Sequence, residues 1–197
     1  MKKNSIEETK EHILEIAQQE FFEKGFGAAS INTIVDTARV TKPTVYYHFK
    51  NKEGLFNALV EEAYRRCYQN RRDAVDQNAP LEEQVFQVIA ADFGFCLEQP
   101  ELVRFVLSVT FALPGEVKTD LTEIHYRDYE FFQQIIERGN RTGEINCPDP
   151  GSAALALQGT IAINIVSFLK MGHEEDFLAP ARARAIARTF LNGISQS

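Results

Sequence analysis

Ser30 and Thr41 each stand immediately before a short amphipathic stretch, and this pair constrains the fold more than any other feature of the chain. A Ser or Thr oxygen at such a position accepts a hydrogen bond from the first unpaired N–H groups of a helix. After Ser30, the residues Ile31, Ile34, Val35 and Ala38 recur at helical spacing. After Thr41, Pro43 sits just inside a second start, where a missing N–H costs nothing. That second helix is very short, Lys42 to about Phe49, and Asn51 or Lys52 opens a longer one that runs into the seventies. Two short helices across a tight turn make a helix-turn-helix. Ala38 is small where the two must cross, Val40 and Val45 point inward, and Phe49 and Leu55 anchor the next helix beneath them.

The rest of the chain reads as helix as well. A first helix is predicted from about Ser5 to Lys24, with Ser5 and Glu8 as a capping box. Its apolar face is Ile6, Ile13, Leu14, Ala17, Phe21 and Phe22, and Gly25 stops it. Beyond the long fourth helix, Pro80 precedes a fifth (about Leu81 to Glu98) and Pro100 starts a sixth (to about Leu113). After a Pro114-Gly115 turn, a seventh runs from about Val117 to Arg138, ended by Gly139 and Gly143. An eighth spans about Ser152 to Met171, and a ninth starts near Pro180 and ends near Ile194. No segment alternates as a strand does, so the expected fold class is all-α, about nine helices, with an N-terminal three-helix unit (1–52) on a larger helical body (53–197).

Charge is distributed in a way that its sum conceals. The net charge is −7. Residues 1–52 nevertheless carry +1 and the remainder −8. Lys24, Arg39, Lys42, Lys50 and Lys52 share the stretch 24–52 with the single acid Asp36. Counterion release depends on local phosphate contacts, so a basic surface on an acidic body suits a DNA binder. Three scattered cysteines, Cys67, Cys96 and Cys147, form no CxxC pair and read as reduced thiols in a cytoplasmic protein, with no metal and no cofactor. Ala153 to Leu169 is apolar nearly all round, yet it is shorter than the ~20 residues of a membrane span and is interrupted by Gln158, Thr160, Asn164 and Ser167. A helix apolar on every face is buried on every face. Its small residues Ala156 and Gly159, with Ile163, fit a close crossing with a second copy of the chain, joined by Ile186, Phe190 and Ile194 of the last helix.

The stretch Ser30–Leu55 resembles the tetracycline-repressor (TetR) family of bacterial regulators. Ile34-Val35, Ala38, Val40-Thr41-Lys42, Thr44-Val45-Tyr46-Tyr47-His48-Phe49 and Lys50-Asn51-Lys52-Glu53-Gly54-Leu55-Phe56 carry the likeness, which covers roughly residues 9–60. Gly143–Ile145 and Asp149-Pro150 before an apolar helix also look like family architecture. The resemblance implies a homodimer on double-stranded operator DNA, with Lys42, Pro43 and Thr44 at base edges and Thr33, Tyr46, Tyr47, His48 and Lys52 at phosphate or sugar. Thr41 and Arg39 belong to the same surface. Arg39 departs from the family, which usually has Gly in the turn; a left-handed Arg costs roughly 1 kcal/mol, and this residue either loosens the turn or reaches a phosphate. Tyr47 can equally be core, and His48 can equally be a structural histidine.

The resemblance further implies an unidentified small-molecule effector in the body. Helices five and six are rich in Phe, and aromatic helical walls can line an apolar cavity. Phe93, Phe111, His125, Phe132 and Asn164 are the candidate effector residues, and Asp92 and Asp128 are further polar groups set among apolar ones. The chain has no serine nucleophile elbow, phosphate loop, dinucleotide fingerprint or metal-ligand cluster, so it is not read as an enzyme. Two alternatives remain: a DNA-binding regulator without an effector, and an acidic helical protein-interaction module.

Overall fold

The computed structural model describes residues 2–111, 122–172 and 174–195, which are helical throughout apart from turns and one 3₁₀ segment. They divide into two compact units, one ending at Ala63 and the other beginning at Tyr64. The first unit holds α1 (Lys2–Ala28), α2 (Ile31–Ala38), α3 (Lys42–Phe49) and the first half of α4 (Lys52–Ala74). Ile13, Ala17 and Phe21 of α1 are buried, as are Ile34 and Ala38 of α2, Val45 and Phe49 of α3, and Leu55 and Leu59 of α4. Short helices of eight residues cannot hold themselves in water. Here each contributes two buried side chains to a shared core, which supplies the missing stability.

The second unit is built around α5 (Leu81–Glu98), which packs on α6 (Pro100–Thr110), α7 (Thr122–Thr142), α8 (Pro150–Met171), α9 (Pro180–Ile194) and a 3₁₀ turn (Glu175–Leu178). Neighbours on so many sides explain why α5 is apolar almost all round. Its Val85, Val88, Ile89 and Phe93 meet Phe132 and Ile135 of α7, Leu157 and Ile161 of α8, and Ala183 and Ala187 of α9 in one core.

Several boundaries differ from the sequence reading, each for a physical reason. The helix is already formed at Lys2, so Ser5 stands inside it and not at a cap. Gly25 breaks α1 with φ 70° and ψ 171°, but the chain resumes for one more turn to Ala28. Gly139 does not end α7; it lies buried inside the helix, facing the side chains of Leu81 and Ile145. The end comes after Thr142, and Gly143 takes the left-handed φ of 75°. Pro150 opens α8 two residues early because Asp149 is its cap, its carboxylate accepting from the Ser152 N–H at 3.0 Å. At 22 residues, α8 is therefore long enough and apolar enough to cross a membrane, and the argument from shortness does not hold. What distinguishes it is its packing. Ala153, Ala154, Leu157, Ile161 and Ile165 are buried in the core of the unit. The opposite side is exposed, with Leu155 at 58% and Ile163 at 60%. Leu113, Pro114, Gly115, Val117 and Leu121 of the sequence reading lie outside the described residues.

Candidate functional site

The helix-turn-helix is held by local hydrogen bonds that can be followed residue by residue. Ser30 Oγ accepts from the Thr33 N–H at 3.4 Å, and Thr41 Oγ1 accepts from the Thr44 N–H at 3.3 Å. The two threonine hydroxyls of that second cap lie 2.8 Å apart. Between the helices, Arg39 is left-handed at φ 55° and ψ 38°, its N–H bonded to the carbonyls of Asp36 and Val35. The turn thus keeps the shape that Gly would give, at roughly 1 kcal/mol of backbone strain. Lys50 is also at positive φ, 65°, and ends α3 with its N–H on the Tyr46 carbonyl. Asn51 then caps α4, Oδ1 accepting from the Gly54 N–H at 2.7 Å. A Cβ at Gly54 would run into the Phe49 carbonyl oxygen, so only glycine lets α4 start this close to the end of α3.

This frame sorts the side chains of α3. Val45 and Phe49 face the core. Lys42, Pro43, Tyr46, Tyr47 and Lys50 are exposed, and their spacing of three and four places them on one face. Tyr47 is 75% exposed, which removes it from the core. Thr44 and His48 are half-buried at the edges, the His48 ring flanked by those of Tyr47 and Phe49. Thr33, Arg39 and Thr41 are exposed on α2 and the turn. Lys42, Arg39 and Lys50 pair with no carboxylate among the described residues, so three full positive charges stand beside a surface of hydroxyls and aromatic rings. Lys52 is placed differently. Its Nζ donates to the Gly27 carbonyl at 3.1 Å and lies 4.9 Å from the centre of the Phe26 ring. Phe26 in turn meets Phe21 and Phe56. Lys52 is thus a clasp between α4 and the end of α1.

Within the second unit lies a cavity of about 790 Å³. Phe111, His125 and Phe132 are on its walls, whereas Phe93 and Asn164 are not. Phe93 is completely buried in the core on the other side of α5. Asn164 is satisfied elsewhere: it donates to the Thr160 carbonyl and accepts from Arg182 of α9 at 2.9 and 3.1 Å. Three residues of α4 also line the space, Tyr64, Cys67 and Arg71. Arg71 donates from Nε to both oxygens of Asp92 at 2.8 and 2.9 Å, and its Nη1 stands 3.0 Å from Asp128 of α7, out of line for a hydrogen bond. Burial works against the Arg71 charge, but the two carboxylates more than offset it and hold it protonated. Burial also pushes Cys67 up to about 12, so its thiol is inert at neutral pH. Tyr64 is likewise pushed up to about 12 by burial and keeps its proton. Thr110 spends its own proton on the Val106 carbonyl, so the Tyr64 hydroxyl must donate to Thr110 at 2.6 Å. The Tyr64 oxygen then accepts from Nε2 of His125 at 3.2 Å, which fixes the direction of the whole chain.

The sequence profile of bacterial regulatory proteins of the tetR family matches residues 13–59, the whole of this helix-turn-helix. Those residues carry the tetR-family DNA-binding motif. A probable transcriptional regulator of the helix-turn-helix type from Bacillus subtilis, YttP, is 28% identical over 138 residues, which is 69% of this chain and 67% of YttP. The regulator UidR of Escherichia coli K12 is 27% identical over 148 residues, 74% of this chain and 72% of its own. Among solved structures, FadR of B. subtilis in complex with stearoyl-CoA superposes with a TM-score of 0.81 at 21% identity, covering 93% of this chain and 98% of FadR. The chain carries the DNA-binding helix-turn-helix of a transcriptional regulator of the tetR type, and it is not an enzyme.

One residue that orients the tetR-family motif escapes a reading of the sequence. Glu20 of α1 is buried; one oxygen accepts from the Ser30 N–H at 2.9 Å, and both accept from Lys24. It therefore fixes the start of α2 against α1. The Lys24 hydrogen bond, aided by that of Ser30 and opposed by burial, holds its carboxyl below the usual carboxylate range. A depressed pKa gives stability that is present above the unfolded value, about 4.3, and lost as pH falls through the folded one. Glu20→Ala leaves the Ser30 N–H without its acceptor and is expected to cost about 1–3 kcal/mol. Thermal melts of the two proteins check this: the gap should close on acidification below about pH 4, and equal stability at pH 7 would refute the role.

Proposed function

We propose that the chain is a homodimeric repressor that reads a roughly palindromic operator with α3 and is released from it by a small, largely apolar effector bound in the cavity of the second unit. The exposed, unpaired cationic face of α3 carries this reading. Lys42 is suited to donate to guanine O6 and N7, and the methyl of Thr44 and the ring of Pro43 to touch a thymine methyl. Arg39, Thr33, Thr41, Tyr46, Tyr47 and His48 would position the duplex through phosphate and sugar. Lys52 would act indirectly, by holding α4 to α1. For the effector, the support is the size of the cavity and its mostly apolar lining, and the likeness in fold to a regulator solved with a long-chain acyl-CoA.

The link between the two sites is α4, which begins at the end of α3 and presents Tyr64, Cys67 and Arg71 to the cavity. A ligand that fits only with α4 displaced would shift the spacing of the two reading helices in the dimer. It can do so only by its differential affinity for the two states, and a ~100-fold loss of DNA affinity needs about 2.7 kcal/mol of coupling.

Selection of genomic fragments on the purified protein is the test, and it should enrich one palindromic sequence. Lys42→Ala should then lose about 1–3 kcal/mol of discrimination at one base step. Arg39→Ala keeps the same backbone strain, and should instead weaken all sequences and flatten the salt dependence by about one charge. Selection that enriches nothing would return the chain to the acidic interaction-module reading. An operator whose affinity no ligand alters would leave a regulator without an effector.

A further inference from the structure

The walls of the cavity carry a charge imbalance that points to the sign of its ligand. One guanidinium, Arg71, is set against two carboxylates, Asp92 and Asp128, and no other Lys or Arg lines the space among the described residues. Counting histidine as neutral, the lining therefore holds one net negative charge. Arg71 is already ion-paired on two sides. Its Nε is bound by Asp92, its Nη1 faces Asp128, and its plane lies 5.5 Å from the centre of the Phe132 ring. An anionic ligand at Arg71 would have to lie beside Asp92 and Asp128, whose two charges already outnumber the one they share, and taking Arg71 from either would leave a buried carboxylate unpaired. A cation meets the opposite situation. It neutralises the cluster at Asp128, and an uncompensated charge in a low-dielectric space is the costly alternative.

The rings beside Asp128 add to this. Tyr126 and Tyr129 flank it on α7, with centroids 6.5 Å apart and planes tilted by 40°, and both line the cavity. Tyr126 is 60% exposed, so its ring is open to a ligand. The faces of such rings attract cations. Resting on the effector reading above, we propose that the cavity takes a lipophilic monocation, its charge held by Asp128 and the Tyr126 and Tyr129 rings while its apolar body fills the space toward Phe95 and Phe111.

Tetraphenylphosphonium and tetraphenylborate have one shape and opposite charge, so calorimetric titration of the full-length protein with each isolates the sign. The phosphonium is expected to bind at least about tenfold more tightly. Asp128→Asn should remove most of that preference. Tyr126→Leu, at an exposed position that leaves the core untouched, should weaken the phosphonium about 2–5-fold and the borate less. Borate binding as tight as phosphonium, binding of neither ion, or a preference that survives both substitutions overturns the assignment. Release of operator is scored separately. A phosphonium that binds with this preference but leaves operator affinity unchanged upholds the charge assignment and overturns the effector mechanism. An anionic or neutral lipophile that releases operator, while the phosphonium does not bind, does the reverse.

Discussion

Arg71→Ala should lower the stability of the second unit by about 3–5 kcal/mol, because it leaves two carboxylates facing each other with no cation between them. The Arg71 side chain is only 14% exposed and that of Asp92 8%, so water cannot easily replace the lost partner. Asp92 shows the cost most directly: burial pushes its carboxyl up even against the opposing pull of Arg71. In the variant, Asp92 would be pushed further up and take up a proton, or hold an unpaired charge in the core, and either outcome reduces stability. Arg71 also joins α4 to α5 and α7, so its loss removes a three-helix contact and not a single pair. Calorimetric melts measure the effect, since a chain of two units need not unfold in one step. A shift of about 6–20 °C in the transition of the second unit is expected. Arg71→Ala combined with Asp92→Asn and Asp128→Asn should recover a large part of it, because a buried network removed whole costs less than one left half-paired. A single variant within about 1 kcal/mol of wild type would mean that ordered water already carries this cluster.

How far the sequence could anticipate such features depends on whether their cause is local. The caps at Ser30 and Thr41 and the proline at position 43 act within one turn, and the structure has α2 and α3 where they point. The tight turn was legible for the same reason, down to the strain at Arg39. Partners distant in sequence were not. Glu20 looks like one more acid on a solvated helix until the chain folds and Ser30 arrives beside it. Lys52 sits in a basic run and reads as a phosphate contact, yet its ammonium is used by a carbonyl twenty-five positions earlier. Asp92 and Asp128 were visible as polar interruptions of apolar stripes. Arg71 was not, because α4 is polar over most of its length and one more arginine there carries no signal. Periodicity marks Phe93 and Asn164 as inward-facing, but it cannot say toward what. Phe93 turns to the core and Asn164 to Arg182, while Phe111, His125 and Phe132 turn to the cavity. Gly139 misled for a related reason: a glycine that ends a helix and one that admits a neighbouring side chain look the same in sequence.

The largest effect is expected at Ile163. In the second unit the buried side of α8 is well filled, but Leu155, Ala156, Gly159 and Ile163 form an exposed stripe with steps of three and four residues. A Cβ added at Gly159 would meet nothing, so the backbone there is open to close approach. Exposed apolar stripes of this kind mark an association surface, and small residues allow two helices to cross closely. Ile186 and Phe190 of α9 are less available than the stripe on α8. They are half-buried, their inner parts covering their own core and leaving only outer edges for a partner. In a two-fold dimer the same patch meets itself, so Ile163→Arg would set two like charges together at one desolvated crossing. The variant should be monomeric by light scattering at micromolar concentration. A dimer engages both operator half-sites at once, and losing the second, intramolecular contact reduces apparent affinity by about 10²–10⁴-fold. Binding to a single half-site should survive, since nothing in α3 has changed. Gly159→Arg is a less discriminating choice, because Gly159 also lines the cavity and a long side chain there would disturb effector binding as well. Ile163 is outside the cavity lining and 60% exposed, so the folded monomer should melt close to the wild-type protomer. A variant that stays dimeric and binds operator with wild-type affinity would show that the subunits meet on another face. A monomeric variant with full operator affinity would show that the operator is read one half-site at a time.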